Sequence, residues 1–333
     1  MARPLLVRLP NWLGDLIQAL PVLNAAARDP SRPALFLGPV AFEPLLVPRF
    51  PGTPYIPWSR ERRFAAAGAI RRHRPGSALL LTDSLSSAIL VALSGVPERV
   101  GYAAELRGAL LTRRVPRPKP SRSGPRVEEY AVLGRAVGLD VVEAIPRITA
   151  LEEERSRAAA LLLERGAGSG PFAALAPGAS YGPAKRWDPE SFARVASALH
   201  ASQGARAVLV GTKGDAGPAA EVARILGAAA TDLTGATDLP TLTGILDRSV
   251  LAVSNDSGVM HLAAALGKPT VAVFGSTSPV WSSADARWVR ALYAAYPCSP
   301  CFRRVCPIGY GCLRSIAPSR AIGAAEELLR SRG

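Results

Sequence analysis

Short apolar runs alternate with helical stretches twice over in this 333-residue chain, and that alternation excludes most folds. In the first half, residues 5–9, 34–37 and 78–81 are apolar runs separated by small-residue stretches such as 17–28 and 86–93. The second half repeats the pattern with runs at 172–176, 207–210, 250–253 and 270–274. Runs of this length suit buried strands, and strands interleaved with helices build βαβ units around a parallel sheet. Two doubly wound α/β halves are therefore expected, joined by the charged, helix-forming residues 151–165. The domains are placed at 1–155 and 156–333. In such sheets ligands lie beyond the carboxyl ends of the strands, so the loops there carry the functional reading.

Two of those loops suit a diphosphate. Residues 177–187, Pro-Gly-Ala-Ser-Tyr-Gly-Pro-Ala-Lys-Arg-Trp, follow the 172–176 run and deliver Lys185 and Arg186 ahead of a helical stretch at 190–200. An ammonium is a compact point charge and a guanidinium grips two oxygens together. Ser180 lies in the same loop, and Trp187 reads as packing. Residues 254–261, Ser-Asn-Asp-Ser-Gly-Val-Met-His, follow the 250–253 run and lead into a helix over 260–266. The backbone N–H groups of Ser257 and Gly258 at that helix start favour an anion. Asp256 is a candidate acceptor for ribose or sugar hydroxyls and His261 has a supporting role, although Asp256 or Ser257 as a plain helix cap explains the segment equally well.

A third turn, Asn11-Trp-Leu-Gly-Asp15, follows the first apolar run. Asp15, next to Gly14, is its one carboxylate. It reads as the N-cap of a helix beginning near Leu16, with Gln18 completing a capping box, and a capping carboxylate still keeps an oxygen for chemistry. A helix N-terminus favours the ionised, weakly basic form.

Other readings are excluded by context. Gly166-Ala-Gly-Ser-Gly170 precedes a strand, whereas a dinucleotide fingerprint links a strand to a helix. Gly211-Thr-Lys-Gly214 lacks the ending of a phosphate-binding P-loop, and no Asp-x-Asp pair offers a metal site for a nucleotide sugar. The two arginines and two prolines within residues 1–11 leave no signal-peptide core, and the longest apolar stretch, 78–96, is broken by Asp83 and several serines. Four cysteines, Cys298, Cys301, Cys306 and Cys312, fall in one loop. Their spacing allows one structural zinc, a reduced knot or disulfides.

Charge is uneven: residues 1–150 carry 21 Lys and Arg against 11 Asp and Glu. The excess sits in Arg60-Glu-Arg-Arg63, Arg71-Arg-His-Arg74 and residues 113–126, without the interleaved aromatics of a nucleic-acid surface. Such clusters attract a polyanion, an acidic membrane surface or a phosphorylated acceptor.

The 10–15, 177–187 and 255–261 segments, together with Cys298-Ser-Pro-Cys-Phe-Arg-Arg-Val-Cys-Pro307, resemble the ADP-heptose:lipopolysaccharide heptosyltransferase II family, glycosyltransferases of family 9. The four motifs occur in the family's order along nearly the whole chain. The resemblance implies a GT-B fold, two Rossmann-like domains facing across a cleft, with an acceptor-binding N-terminal domain and a donor-binding C-terminal one. It implies inverting, metal-independent transfer of L-glycero-D-manno-heptose from an ADP-sugar to the inner core of lipopolysaccharide, with no required cofactor. Asp15 then becomes the general base and Lys185 the principal diphosphate ligand. Asp256, Ser257 and Gly258 become the donor-binding turn, with His261, Arg186, Gly14 and Ser180 lining the site. The implied partners are the ADP-sugar, a phosphorylated lipid A-core acceptor and, peripherally, the cytoplasmic face of the inner membrane, in a cytoplasmic enzyme that binds no nucleic acid. Residues 55–126 hold no motif of the family, so two alternatives stay open: a related family 9 enzyme with another donor or glycolipid acceptor, and a non-catalytic polyanion-binding protein.

Overall fold

The computed structural model describes residues 2–104, 106–118, 122–142, 144–282 and 287–331, and the chain divides into two compact units, 1–146 and 147–333. Among the described residues the first unit holds strands β1 (Leu5–Arg8), β2 (Ala34–Pro39), β3 (Tyr55–Trp58), β4 (Ser77–Leu80), β5 (Glu98–Tyr102) and β6 (Arg113–Val115). Its helices are α1 (Leu13–Arg28), α2 (Glu43–Leu46), α3 (Arg63–His73), α4 (Leu85–Leu93) and α5 (Arg126–Ala136). The sheet is parallel in the order β3-β2-β1-β4-β5-β6, with Leu6 opposite Leu35 on one side and Ala78 on the other. Central strands of such a sheet are covered on both faces, which is why β1 and β4 read as unbroken buried runs.

Right-handed crossovers decide which face each helix takes. The connection β1-α1-β2 runs one way along the sheet, whereas β3-α3-β4 and β4-α4-β5 run the other, so α1 lies opposite α3 and α4. The α3–α4 side buries Ala66, Ile70, Ala88 and Val91 on Leu6, Leu35, Leu37 and Leu80. On the other side α1 packs against α5.

The second unit repeats the plan. Its strands are β7 (Phe172–Ala176), β8 (Arg206–Leu209), β9 (Ala230–Asp232), β10 (Leu251–Asn255), β11 (Thr270–Phe274) and β12 (Val289–Tyr293), parallel in the order β12-β11-β10-β7-β8-β9. The helices are α6 (Glu152–Glu164), α7 (Pro189–Gln203), α8 (Ala216–Leu226), α9 (Leu239–Arg248), α10 (Gly258–Ala265), α11 (Pro279–Ser282), α12 (Gly311–Arg314) and α13 (Pro318–Arg330). Phe192, Val195 and Leu199 of α7 and Ala321, Ala325 and Leu328 of α13 share one core with Leu175, Leu209, Val253 and Val273. The charged helix α6 packs against α9, where a Cβ on Gly244 would lie 2.0 Å from the Glu154 carbonyl oxygen.

The seven anticipated runs are all strands, and five more flank them: β3, β5, β6, β9 and β12. In both sheets the direction of strand addition reverses once, between β1 and β4 in the first and between β7 and β10 in the second. Beyond the carboxyl ends of strands at such a reversal the flanking loops part and leave a crevice. The three turns singled out above follow β1, β7 and β10.

Candidate active site

Asn255, the last residue of β10, ties the two loops of the second unit together. Its Oδ1 accepts from the Trp187 backbone N–H at 3.0 Å, and its Nδ2 donates to the carbonyls of Pro177 at 2.8 Å and Gly178 at 3.2 Å. The loop after β7 is thereby held at both ends by one buried amide. Trp187 is buried beneath the loop, donating from Nε1 to the Ile316 carbonyl at 3.1 Å and meeting Phe192 edge to face. Gly178 is required by space: a Cβ there would sit 2.1 Å from the Asp215 carboxyl group.

This brings Lys185 and Asp256 together. Lys185 Nζ donates to Asp256 Oδ2 at 2.6 Å, Thr277 Oγ1 donates to the same oxygen at 2.6 Å, and Ser282 Oγ donates to Oδ1 at 2.5 Å. Burial alone would raise the Asp256 carboxyl, but the Lys185 ammonium, His261 and Ser282 hold it below the ordinary carboxylate range. Its oxygens thus serve Lys185 and two hydroxyls, where the sequence had suggested sugar hydroxyls. His261 Nε2 lies 3.2 Å from Ser282 Oγ. Because the Ser282 hydrogen points at Asp256, Nε2 carries the proton of a neutral imidazole. Desolvation pushes His261 down to about 4, against the opposing pull of Asp256. His261 therefore supports Asp256 through Ser282 and adds no positive charge at neutral pH.

The remaining predicted residues of this unit divide. Ser257 is the N-cap of α10 by position but makes no capping bond, its Oγ lying 2.9 Å from Ser254 Oγ, and Gly258 is the first helical residue. The first N–H groups of α10 are left for another acceptor. Ser180 is exposed in the loop, whereas the Arg186 guanidinium folds back to the Ala179 carbonyl at 3.3 Å.

The cysteine-rich segment is a flange on the same loop. Ala184 N–H donates to the Arg304 carbonyl at 3.0 Å and Arg304 Nε to the Tyr181 carbonyl at 2.7 Å, while Phe302 N–H reaches Ser276 at 2.7 Å. Lys185 Nζ and the Arg304 guanidinium both lie over the Tyr181 ring, at 4.8 and 5.5 Å. All four cysteines are free thiols, and among the described residues no three His, Cys, Asp or Glu form a group able to hold a metal. The single-zinc expectation is not supported. The Cys306 sulfur is occupied otherwise: N–H groups of Ile308, Tyr310 and Gly309 donate to it and lower its pKa.

In the first unit the turn after β1 is organised by two arginines that the sequence did not single out. Arg8 ends β1 fully buried, lowered to about 10 by desolvation, and donates to Asn11 Oδ1 at 2.7 Å with its guanidinium over Trp58. The helix α1 begins at Leu13, with Trp12 at the cap and no capping side chain, so Asp15 lies inside the first turn and is not the N-cap. Gly14 precedes it on that turn. Asp15 Oδ1 is 3.6 Å from Arg126 Nε, and Arg126 also donates to Glu129 Oε2 at 2.7 Å and to the Tyr130 hydroxyl at 3.1 Å. Burial alone would lower the Arg126 pKa, but Tyr130, Asp15, Glu129 and Asp83 more than reverse it. Asp83, just past β4, completes the group through Arg117 at 2.6 Å and the buried Arg107 at 3.3 Å. Part of the arginine-rich 113–126 stretch is thus paired internally, while its residues 119–121 lie outside the described residues.

Two doubly wound parallel sheets of this plan place the chain in the GT-B class, the fold of the heptosyltransferase structure that it matches over its whole length. It belongs to glycosyltransferase family 9 (heptosyltransferase), whose model matches residues 63–310. The chain is similar to lipopolysaccharide heptosyltransferase 2 of Escherichia coli, 29% identical over 311 residues that cover 85% of this chain and 86% of that one. Among solved structures it resembles E. coli ADP-heptose LPS heptosyltransferase II, with a TM-score of 0.82, 28% identity and coverage of 100% of this chain and 99% of the other. A family 9 glycosyl transferase from Veillonella parvula has the same fold, with a TM-score of 0.82 at 20% identity over 99% and 97% of the two chains. Membership of an enzyme family removes the reading of a non-catalytic polyanion binder.

Proposed function

We propose that this chain transfers a heptose, with inversion, from ADP-heptose to the inner core of lipopolysaccharide. The observation that carries the reading is the Lys185–Asp256 pair, which holds one ammonium beside the open start of α10. In the proposed reaction the acceptor hydroxyl oxygen forms a bond to the anomeric carbon of the donor. The bond from that carbon to the phosphate oxygen breaks, and its electron pair leaves with ADP. Lys185 and the N–H groups of Ser257 and Gly258 take up the charge that grows on the diphosphate, and electrostatic stabilisation of that kind supplies most of the acceleration. Asp15 accepts the hydroxyl proton. A weak base suffices, because an oxocarbenium-like transition state places proton loss late. Asp256, Thr277, Ser282 and His261 position Lys185, while Ser180 and Arg186 flank the donor and Gly14 lets the acceptor approach.

The names of relatives support the donor and acceptor: the E. coli and Haemophilus influenzae proteins of similar sequence are heptosyltransferases of the second type, as is the E. coli ADP-heptose LPS enzyme of similar fold. The test is direct. Purified protein is incubated with ADP-heptose and a lipid A-core acceptor bearing a single heptose, and the product is weighed by mass spectrometry. Addition of one heptose residue with release of ADP is expected. Transfer only to a core without heptose, or only from another nucleotide sugar, would assign the chain to a different member of the family.

A further inference from the structure

Helices α3 and α4 pack side by side on one face of the first sheet, and their outward surface is unusual in both charge and polarity. The turn before α3 and the two ends of that helix carry Arg60, Arg62, Arg63, Arg71, Arg72 and Arg74, all exposed, with Glu61 the one acid between residues 60 and 74. Helix α4 has no charged residue. Its inner side, Ala88, Leu90 and Val91, is spent on the core, yet three of its four exposed residues are apolar too, Ser86 being the fourth. Leu85, Ile89 and Leu93 recur every fourth residue and are 36%, 40% and 68% exposed. That spacing makes one stripe along the helix. Phe64, at the start of α3, is 77% exposed with the Arg63 guanidinium 4.9 Å over its ring. Arg71 Nη2 donates to the Leu93 carbonyl at 2.7 Å, so Arg71 adjoins the end of the stripe.

A single exposed leucine is ordinary, but a helical stripe of apolar side chains, with Arg71 at its end and five more exposed arginines at the ends of the neighbouring helix, has the composition of a docking surface. Its chemistry selects the occupant. A nucleic acid would use the arginines but has no contact to offer Leu85, Ile89 and Leu93, whereas an interfacial helix needs both elements at once. We propose that the α3–α4 face docks on an anionic phospholipid bilayer, with the arginines among the lipid phosphates and the α4 stripe with Phe64 at the acyl boundary. No helix among the described residues is long and apolar enough to cross a membrane, so the contact is interfacial. The proposal rests on the reading of the acceptor as a glycolipid, but its test needs no acceptor.

Full-length protein is floated with vesicles of phosphatidylglycerol mixed with phosphatidylcholine, and with vesicles of phosphatidylcholine alone. At least tenfold tighter binding to the anionic vesicles is expected, weakening as salt is raised. The triple variant Leu85→Ser/Ile89→Ser/Leu93→Ser, whose positions face solvent, should retain its thermal midpoint and lose tenfold or more in partitioning. In a second variant, Arg62→Glu/Arg72→Glu, each lost arginine should cost about fivefold. Equal binding to both vesicle types, or unchanged binding of both variants, overturns the proposal. A shift of the triple variant from dimer to monomer in sedimentation would also overturn it, by assigning the face to a second copy. Transfer to a deacylated, water-soluble acceptor should be the same in the triple variant and the parent, while transfer to acceptor embedded in vesicles falls. Equal loss on both acceptors would place the stripe in the acceptor site and overturn the proposal. Absence of transfer by the parent, with vesicle binding intact, would instead strike the proposed reaction.

Discussion

The Lys185 ammonium lies 2.6 Å from Asp256 Oδ2, joining the loop after β7 to the turn after β10 across the point where the second sheet reverses direction. Neither residue is poised by its own loop alone. Asp256 is buried and pinned by Thr277 and Ser282, so the ammonium is held where the carboxylate puts it. A flexible lysine side chain loses much rotamer freedom when it binds a ligand; here that ordering is complete in the folded chain.

Removing either partner should therefore have distinct effects. Lys185→Ala deletes the proposed charge-assisted contact to the diphosphate, worth about 1.5–3 kcal/mol, and should weaken ADP binding roughly tenfold to a hundredfold in calorimetric titration. Asp256→Asn keeps the lysine but frees it, and strips a buried ion pair of one charge, which costs about 3–5 kcal/mol of stability. The asparagine variant should lose thermal stability with a smaller loss of ADP affinity. Unchanged affinity in Lys185→Ala would remove the diphosphate role.

Asn255 should matter more to the fold of the site than its distance from any reacting atom implies. Asn255→Ala leaves the buried Trp187 N–H without an acceptor and the Pro177 and Gly178 carbonyls without a donor. An unmet buried amide alone costs about 1–3 kcal/mol. The expected result is a lower urea midpoint at constant slope, with faster hydrogen exchange at the Trp187 amide. Protection of that amide equal to the parent would show the loop to be held by other contacts.

Much of this was legible before the structure, and the reasons are physical. The strands at the two reversal points, β1, β4, β7 and β10, are covered on both faces and so announce themselves as apolar runs. The flanking strands do not: β6 is Arg-Arg-Val, β9 is Ala-Thr-Asp and β3 contains Pro57, because a strand near an edge buries only part of its surface. The same contrast applies to the site. Lys185, Asp256 and His261 stand in short motifs, whereas Thr277 and Ser282 come from a segment some twenty residues later that only the fold brings to Asp256. Arg126 and Asp83 reach the Asp15 turn from α5 and from the end of β4. Arg126 ends a stretch whose charge suggests an attraction for polyanions and which proves in part to be an internal network, and Asp83 shows in the sequence only as a break in an apolar run.

Asp15 and Arg126 form the second testable pair. Asp15→Ala should lower transfer by roughly a hundredfold to ten-thousandfold, the range of a general base, and leave ADP affinity unaltered. Arg126 lies 3.6 Å from the Asp15 carboxylate and is itself held by Glu129 and Tyr130, so in the proposed reaction it is a positioning residue. Arg126→Gln should cost about tenfold in kcat through lost orientation, with partial recovery in Arg126→Lys. Full activity in Asp15→Ala would move the base elsewhere and leave Arg126 as a structural cation.

The buried imidazole ties the stability of the second unit to pH. His261 is lowered to about 4 by desolvation, against about 6.5 in an unfolded chain. Between those values the unfolded chain binds a proton that the folded one refuses, so stability is complete above about pH 6.5 and falls as the solution is acidified toward 4. The shift corresponds to a loss on the order of 3 kcal/mol at the acid end. Asp256, also lowered, acts with the same sign but only below its ordinary carboxylate range, so the two contributions separate on the pH axis. The measurement is the thermal midpoint of parent and His261→Gln from neutral pH to pH 5. A glutamine can keep a hydrogen bond to Ser282 but cannot take up the proton, so the variant should start lower and decline less steeply. Parallel curves would mean that the imidazole titrates normally, and that the Ser282 contact is too weak to hold it neutral in the core.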